Sequence, residues 1–293
     1  MKKLVSYVLI VLMLLSFVGC NGNEENGNSV IDEIQSKKSV QKVEEYEFTA
    51  NSLQDYKAYN IMFKSNELNI CSYLSMPESY SELGCPTIIY LPGSMPSHEN
   101  SAQKFTMFGA ITFTMVMRGS EPSEGQKDLG DDDYNDTKIL YDIVQNLSFV
   151  DTDNLYVIAS SEQSINALKL CADYDNIKGL VLDSPIVDLA KLYDSSPDMM
   201  KGYFDEILGG SPEDIPQEYA DRSAINFVDK IKCPVLAMDY ELGGVTAVTS
   251  RLTKDFINKL KKQGVKAEFK FIEEPGADYS GQALIEAIEF IGL

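Results

Sequence analysis

Basic residues are scarce in this chain. Lys and Arg number 25 against 45 Asp and Glu, a formal net charge of −20. Phosphate binding needs clustered Lys and Arg, so this balance excludes nucleic acid as a partner. An acidic surface instead keeps a protein dispersed. Histidine is scarcer still: His98 is the single one. Any chemistry that needs an imidazole base must use that residue or do without. Cysteine is sparse and irregularly spaced, at Cys20, Cys71, Cys85, Cys171 and Cys233. This pattern gives neither a disulfide framework nor a zinc site. It predicts buried thiols, with Cys71–Cys85 the one pair to check. No internal repeat is present, and no cofactor motif is found.

The first twenty residues are different. Lys2 and Lys3 precede an apolar run, Leu4 to Val18, broken only by Ser6, Tyr7 and Ser16, and Gly19-Cys20 closes it. This order predicts a secretory signal peptide over 1–19, with a core too short for a confident membrane span. Phe17-Val18-Gly19-Cys20 resembles a bacterial lipobox. The resemblance implies cleavage before Cys20 and a lipid on its sulfur, placing the protein at the bacterial cell surface with the bilayer as partner. Without the two leader lysines the chain carries 23 bases and 45 acids, a net of −22. Asn21 to Asn28 is all Asn, Gly and Glu, which cannot bury enough apolar surface to offset its ordering entropy. Residues 20–45 are therefore expected to form a tether, and 46–293 a single domain.

Short, nearly continuous apolar runs follow at Thr87–Leu91, Ile111–Met117, Leu155–Ile158, Leu180–Leu182 and Val235–Met238. Strands covered on both faces read this way. Lys266–Ile272 alternates, as a strand nearer a sheet edge does. Helical faces lie between them: Ile139, Ile143, Val144 and Leu147; Leu252, Phe256, Ile257 and Leu260; Leu284, Ile288 and Ile291. Strand and helix in alternation predict an α/β fold with a doubly wound, mostly parallel sheet. Residues 46–76 read as a small antiparallel start. Residues 186–232, rich in Pro, Gly, Asp and Tyr, read as a lid of short helices.

From about residue 61 the chain resembles the prolyl oligopeptidase family of α/β-hydrolases. The carrying segments are Pro86–Ser94, Arg118-Gly119-Ser120 with Ser123-Glu124-Gly125, Asp133-Tyr134-Asn135-Asp136, Tyr156–Ser164, Ala220–Ala224 and Ile231–Leu236. Their order implies that Ser161 occupies the nucleophile position. It also implies that Gly93, Ser94 and the backbone N–H of Glu162 border an oxyanion hole. Both elbow glycines are replaced, by Ala159 and Gln163. The family's acid position falls on Gly243, with Asp239 and Glu241 nearby. The family's histidine position, after Pro275-Gly276-Ala277, falls on Asp278. A carboxylate is a far weaker base than an imidazole. His98, in the loop after the strand at 87–91, is the remaining candidate base.

The acids Asp128, Asp131, Asp132, Asp133 and Asp136 do not follow a calcium-loop spacing. They read as a loop with a capping acid, and no metal is expected. Three functions are compatible with these residues. One is a non-catalytic or impaired hydrolase relative that keeps a pocket for a small molecule or peptide. The second is a working serine peptidase or esterase that uses Ser161 with His98, Asp278 or Glu241 as base. The third is a surface protein that binds a partner through another face.

Overall fold

The computed structural model describes residues 27–45, 56–78, 80, 84–93, 103–240, 245–273 and 281–293. A nine-stranded sheet runs through it in the order β1-β2-β3-β5-β4-β6-β7-β8-β9. The strands are β1 (Val40–Glu45), β2 (Tyr56–Ser65), β3 (Leu68–Pro77), β4 (Thr87–Leu91), β5 (Ile111–Met115), β6 (Leu155–Ser160), β7 (Gly179–Asp183), β8 (Val235–Tyr240) and β9 (Ala267–Ile272). The first three are antiparallel, and β3 joins β5 antiparallel. From β5 across to β9 every pairing is parallel.

The continuous apolar runs are the central strands. Every residue of β4, β5, β7 and β8 is buried, so neither face of the sheet meets water there. The alternating run is β9, at the sheet's far edge, where Phe271 is 39% exposed while Ala267 and Ile272 are buried.

Helices α2 (Asp132–Gln145), α3 (Ser164–Asp173), α7 (Val245–Lys262) and α8 (Gln282–Ile291) cover the two faces. The apolar stripes expected of α2, α7 and α8 face the core, with Ile139 and Leu284 only partly buried. Ile143 and Val144 of α2 and Phe256, Ile257 and Leu260 of α7 join the larger core. Ile291 of α8 joins the cluster on the opposite face, with Tyr156 and Val181. Between β7 and β8 lie three short helices, α4 (Leu189–Ser195), α5 (Asp198–Leu208) and α6 (Pro216–Asp221).

One expectation is corrected. Residues 27–45 are folded rather than part of a tether. Gly27–Gln35 forms helix α1, which buries Val30 and Ile34, one turn apart. Glu33 of α1 accepts from both the backbone N–H (2.5 Å) and hydroxyl (2.8 Å) of Ser148. Strand β1 follows and buries both Val40 and Val43. Residues three apart on a regular strand point to opposite faces. Here the register slips between Val40 and Lys42, and this bulge turns both valines inward. The described cysteines are buried as expected, and the pair to check is far apart. Cys71 lies beside Ser72, which pairs with Met115 at the carboxyl end of β5; Cys85 precedes Thr87, which pairs with Ile111 at the opposite end. The pair therefore sits at opposite ends of the sheet. All four described cysteines are buried.

Candidate active site

The sheet's carboxyl edge gathers the residues of interest. Strand β6 ends at Ser160, and the chain turns sharply through Ser161–Gln163 into α3. Ser161 has φ +51°. This left-handed region costs an L residue free energy, and a non-glycine residue persists there only when its surroundings hold it. A strained strand-to-helix turn is thus present at Ser161, without either glycine of the elbow pattern that the sequence resembles. Ser161 is exposed. No hydrogen bond joins its Oγ to another described residue.

The surroundings explain how the turn is held. Ser164 donates to the carbonyl of Ser161 (2.5 Å) and accepts from the N–H of Ile186 (2.8 Å). Ala159 is fully buried in place of the first glycine. Gln163, in place of the second glycine, turns inward and is 2% exposed. Its amide nitrogen donates to the Met117 sulfur, and its oxygen accepts from Asn166 Nδ2 at 3.2 Å. Gly93, just past β4, runs directly beside the serine. A Cβ added there would lie 3.4 Å from Ser161 Cβ and 3.5 Å from the Ser160 carbonyl oxygen, filling the space next to the nucleophile position.

Glu162 contributes the backbone N–H after the serine. Its side chain is only 8% exposed and is held from two sides. Lys127 Nζ lies 2.8 Å from one carboxylate oxygen, and the Tyr203 hydroxyl donates to the other at 2.7 Å. Tyr203 is on α5, so the helices between β7 and β8 reach the elbow itself. Burial, and then the acceptor Glu162, hold the Tyr203 hydroxyl protonated well beyond the usual phenol range.

Two further acids lie on the neighbouring strand ends. Asp183 of β7 pairs in register with Ser160, one residue before the nucleophile position. Tyr240 donates to one Asp183 oxygen (3.1 Å) and Ser184 to the other (3.2 Å). The Ser184 hydroxyl also lies 3.4 Å from Asp239 Oδ1, which accepts from the Tyr240 N–H (3.0 Å). Ser184 is a second residue in the left-handed region, at φ +49°. Asp239 is fully buried; burial raises its carboxyl above the ordinary range, and the neighbouring polar groups of Ser250, the Tyr240 N–H, Thr249 and Ser184 act the other way. Reading the sequence alone misses Asp183, Ser184, Tyr240, Tyr203 and Lys127. Only the polar residue closing the run at 179–182 hints at Asp183, and strand register is needed to place it.

Behind the elbow, two sequence landmarks meet. Arg118 holds Asp136 with two hydrogen bonds, Nε to Oδ2 at 2.7 Å and Nη2 to Oδ1 at 2.8 Å, and both side chains are buried. Asp132 and Asp128 lie 3.2 and 3.7 Å from the same guanidinium. Asp128 accepts from the N–H groups of Asp131, Asp132 and Asp133, so it serves the start of α2 as a capping acid. Asp133 is 1% exposed. One of its oxygens accepts from the Gly130 N–H at 2.6 Å, and the other has no hydrogen-bond partner. Burial, and then Asp128, push its carboxyl up to about 7.

Ser94, His98, Glu241, Gly243 and Asp278 lie outside the described residues, as does Cys20.

No protein-family model matches the chain. It is 24% identical over 226 residues to an uncharacterized peptidase, YtmA, of Bacillus subtilis (strain 168), covering 75% of this chain and 86% of that protein. Its structure resembles an acetyl xylan esterase from Paenibacillus sp. R4, with a TM-score of 0.67 at 14% identity, over 93% of this chain and 95% of the other. It resembles acetyl xylan esterase 1 from Thermoanaerobacterium sp. JW/SL YS485 with a TM-score of 0.63 at 18% identity, over 90% of each chain. The acylaminoacyl peptidase of Pyrococcus horikoshii gives 0.65 at 16% identity, over 81% of this chain but 42% of the other. The fold is that of the α/β-hydrolases. The turn at Ser161 follows the carboxyl end of β6, and the end of β7 lies beside it.

Proposed function

We propose that this is an exported, lipid-anchored α/β-hydrolase-fold protein whose Ser161 pocket binds a carbonyl-bearing ligand, an acyl ester or a peptide, and hydrolyses it poorly or not at all. One observation carries the reading. The chain has a single histidine, His98, and Asp278 stands at the family's base position. A serine attacks a carbonyl only when a nearby group takes its proton and later returns it near neutral pH. Loss of the imidazole costs a serine hydrolase on the order of 10⁶ in rate. The elbow strain at Ser161 and the close approach of Gly93 support a pocket still shaped for a carbonyl and its oxyanion. The peptidase and esterase names among the similar proteins support the ligand class. The leader and the Gly19-Cys20 junction support export and anchoring.

A specific observation also favours a second reading. An exposed serine held in a strained turn is the form an active nucleophile takes. His98 would then supply the base from the loop after β4. The two readings separate on turnover of p-nitrophenyl acetate and an aminoacyl p-nitroanilide by the full chain. Equal rates in the native chain and Ser161→Ala support the first. A native rate a hundredfold or more above Ser161→Ala, abolished in His98→Ala, establishes the second.

A further inference from the structure

We propose that the groove between α3 and α6 is a binding site for a neutral saccharide, separate from the serine pocket. Residues three and four apart on a helix share a face. On α3 such a face is formed by Lys169, Ala172 and Asp173, and on α6 by Gln217, Ala220 and Asp221. Both faces line one cavity of about 550 Å³. Small-molecule sites span about 300–1,000 Å³. Asn226, Phe227 and Lys230, from the turns after α6, complete the lining. Each helix places an alanine between two longer polar residues, so the space over Ala172 and Ala220 stays open. These alanines and Phe227 give the groove an apolar surface, and all three are only partly buried. No residue of the turn at Ser161 lines it. Lys169 and Asp173 lie about 7 and 13 Å along α3 from its first residue, Ser164.

The hydrogen bonds around the groove leave it rich in acceptors. Gln217 Nε2 donates to Asp221 Oδ1 (2.6 Å), and Asn226 Nδ2 donates to the Ala220 carbonyl (3.0 Å). The Tyr134 hydroxyl donates to Asp173 Oδ2 (2.5 Å). Lys169 donates to the Gly130 carbonyl, and its Nζ lies 4.9 Å from the centre of the Tyr134 ring. These nitrogens already donate within the protein. One oxygen each of Gln217, Asn226, Asp173 and Asp221 receives no donor among the described residues.

A ligand that fits must therefore bring donors. A cation has them, but the lining sets two lysines against two aspartates and offers it no net charge. An anion would add acceptors to acceptors. A sugar ring carries hydroxyl donors on its edge and C–H groups on its faces, which matches acceptor walls around an apolar surface.

The test is saturation-transfer-difference NMR on the full chain with xylotriose, cellotriose and triacetylchitotriose, each at about 10 mM. The expected result is saturation of at least one trisaccharide, strongest at the ring C–H protons. Ala172→Leu fills the open space, and Asp221→Ala removes an exposed acceptor. Each variant, with folding verified by circular dichroism, should weaken binding about tenfold, and Ser161→Ala should leave it unchanged. Asp221 lies on the surface, so its variant keeps the test open if Ala172→Leu does not fold. The absence of saturation from all three sugars overturns the proposal. So does saturation that a folded groove variant leaves unchanged. Loss of binding in Ser161→Ala would move the sugar to the serine pocket and overturn it as well.

Discussion

Ser161 holds backbone geometry that glycine adopts freely and serine does not, and its hydroxyl has no hydrogen bond to another described residue. Its strain is therefore not offset by its own side chain. Ser161→Gly should raise stability by about 0.5–1.5 kcal/mol in urea denaturation, and a loss would show that the serine is held by contacts of its own. Asp133 makes a second prediction. Its carboxyl sits at about 7 in the folded chain, above the ordinary value of 3.8. Between those values the unfolded chain gives up the proton while the folded chain keeps it. Stability is therefore lost as pH rises through that window, and the cost is complete above pH 7. Asp133→Asn cannot ionise. Compared with the native chain, it should be more stable at pH 8, by on the order of 3 kcal/mol, and little changed at pH 4. An equal effect at both values would contradict this origin. A turn after the apolar run that ends at Ser160 was legible, because polar residues follow that run. The inward turn of Gln163 was not, because it depends on Met117 and Asn166 arriving from other elements.

At the scale of elements, the central strands are readable because burial on both faces leaves continuous apolar runs. Helix α1 and strand β1 are not. Each is short, each offers only two buried apolar side chains, and the bulge beside Val40 hides the alternation that marks a strand. Their contribution is measurable. A chain beginning at Tyr46 leaves the edge of β2 unpaired and uncovers Val40 and Val43's partners, and should unfold several degrees below one that keeps residues 27–45. Equal midpoints would mean that α1 and β1 only rest on the sheet. The Arg118–Asp136 pair joins the loop after β5 to α2. Breaking it by Arg118→Ala leaves a buried carboxylate without its partner and should cost about 3–5 kcal/mol in chemical denaturation. The ends of β7 and β8 show a different limit of sequence reading. Asp183 and Ser184 are far from Asp239 along the chain, and only the parallel pairing of β7 with β8 in register sets them side by side.

The molecule as a whole has the α/β-hydrolase fold, and its sequence has a single histidine. The strained turn at Ser161 and the glycine beside it are what the proposed pocket rests on. Composition gives the opposing signal, with one histidine in 293 residues. A fluorophosphonate probe, applied to the full chain beside Ser161→Ala with folding verified by circular dichroism, weighs the two directly. The account predicts no labelling at Ser161 above that control. Labelling that appears in the native chain and vanishes in Ser161→Ala would mean the serine is activated, and would contradict it.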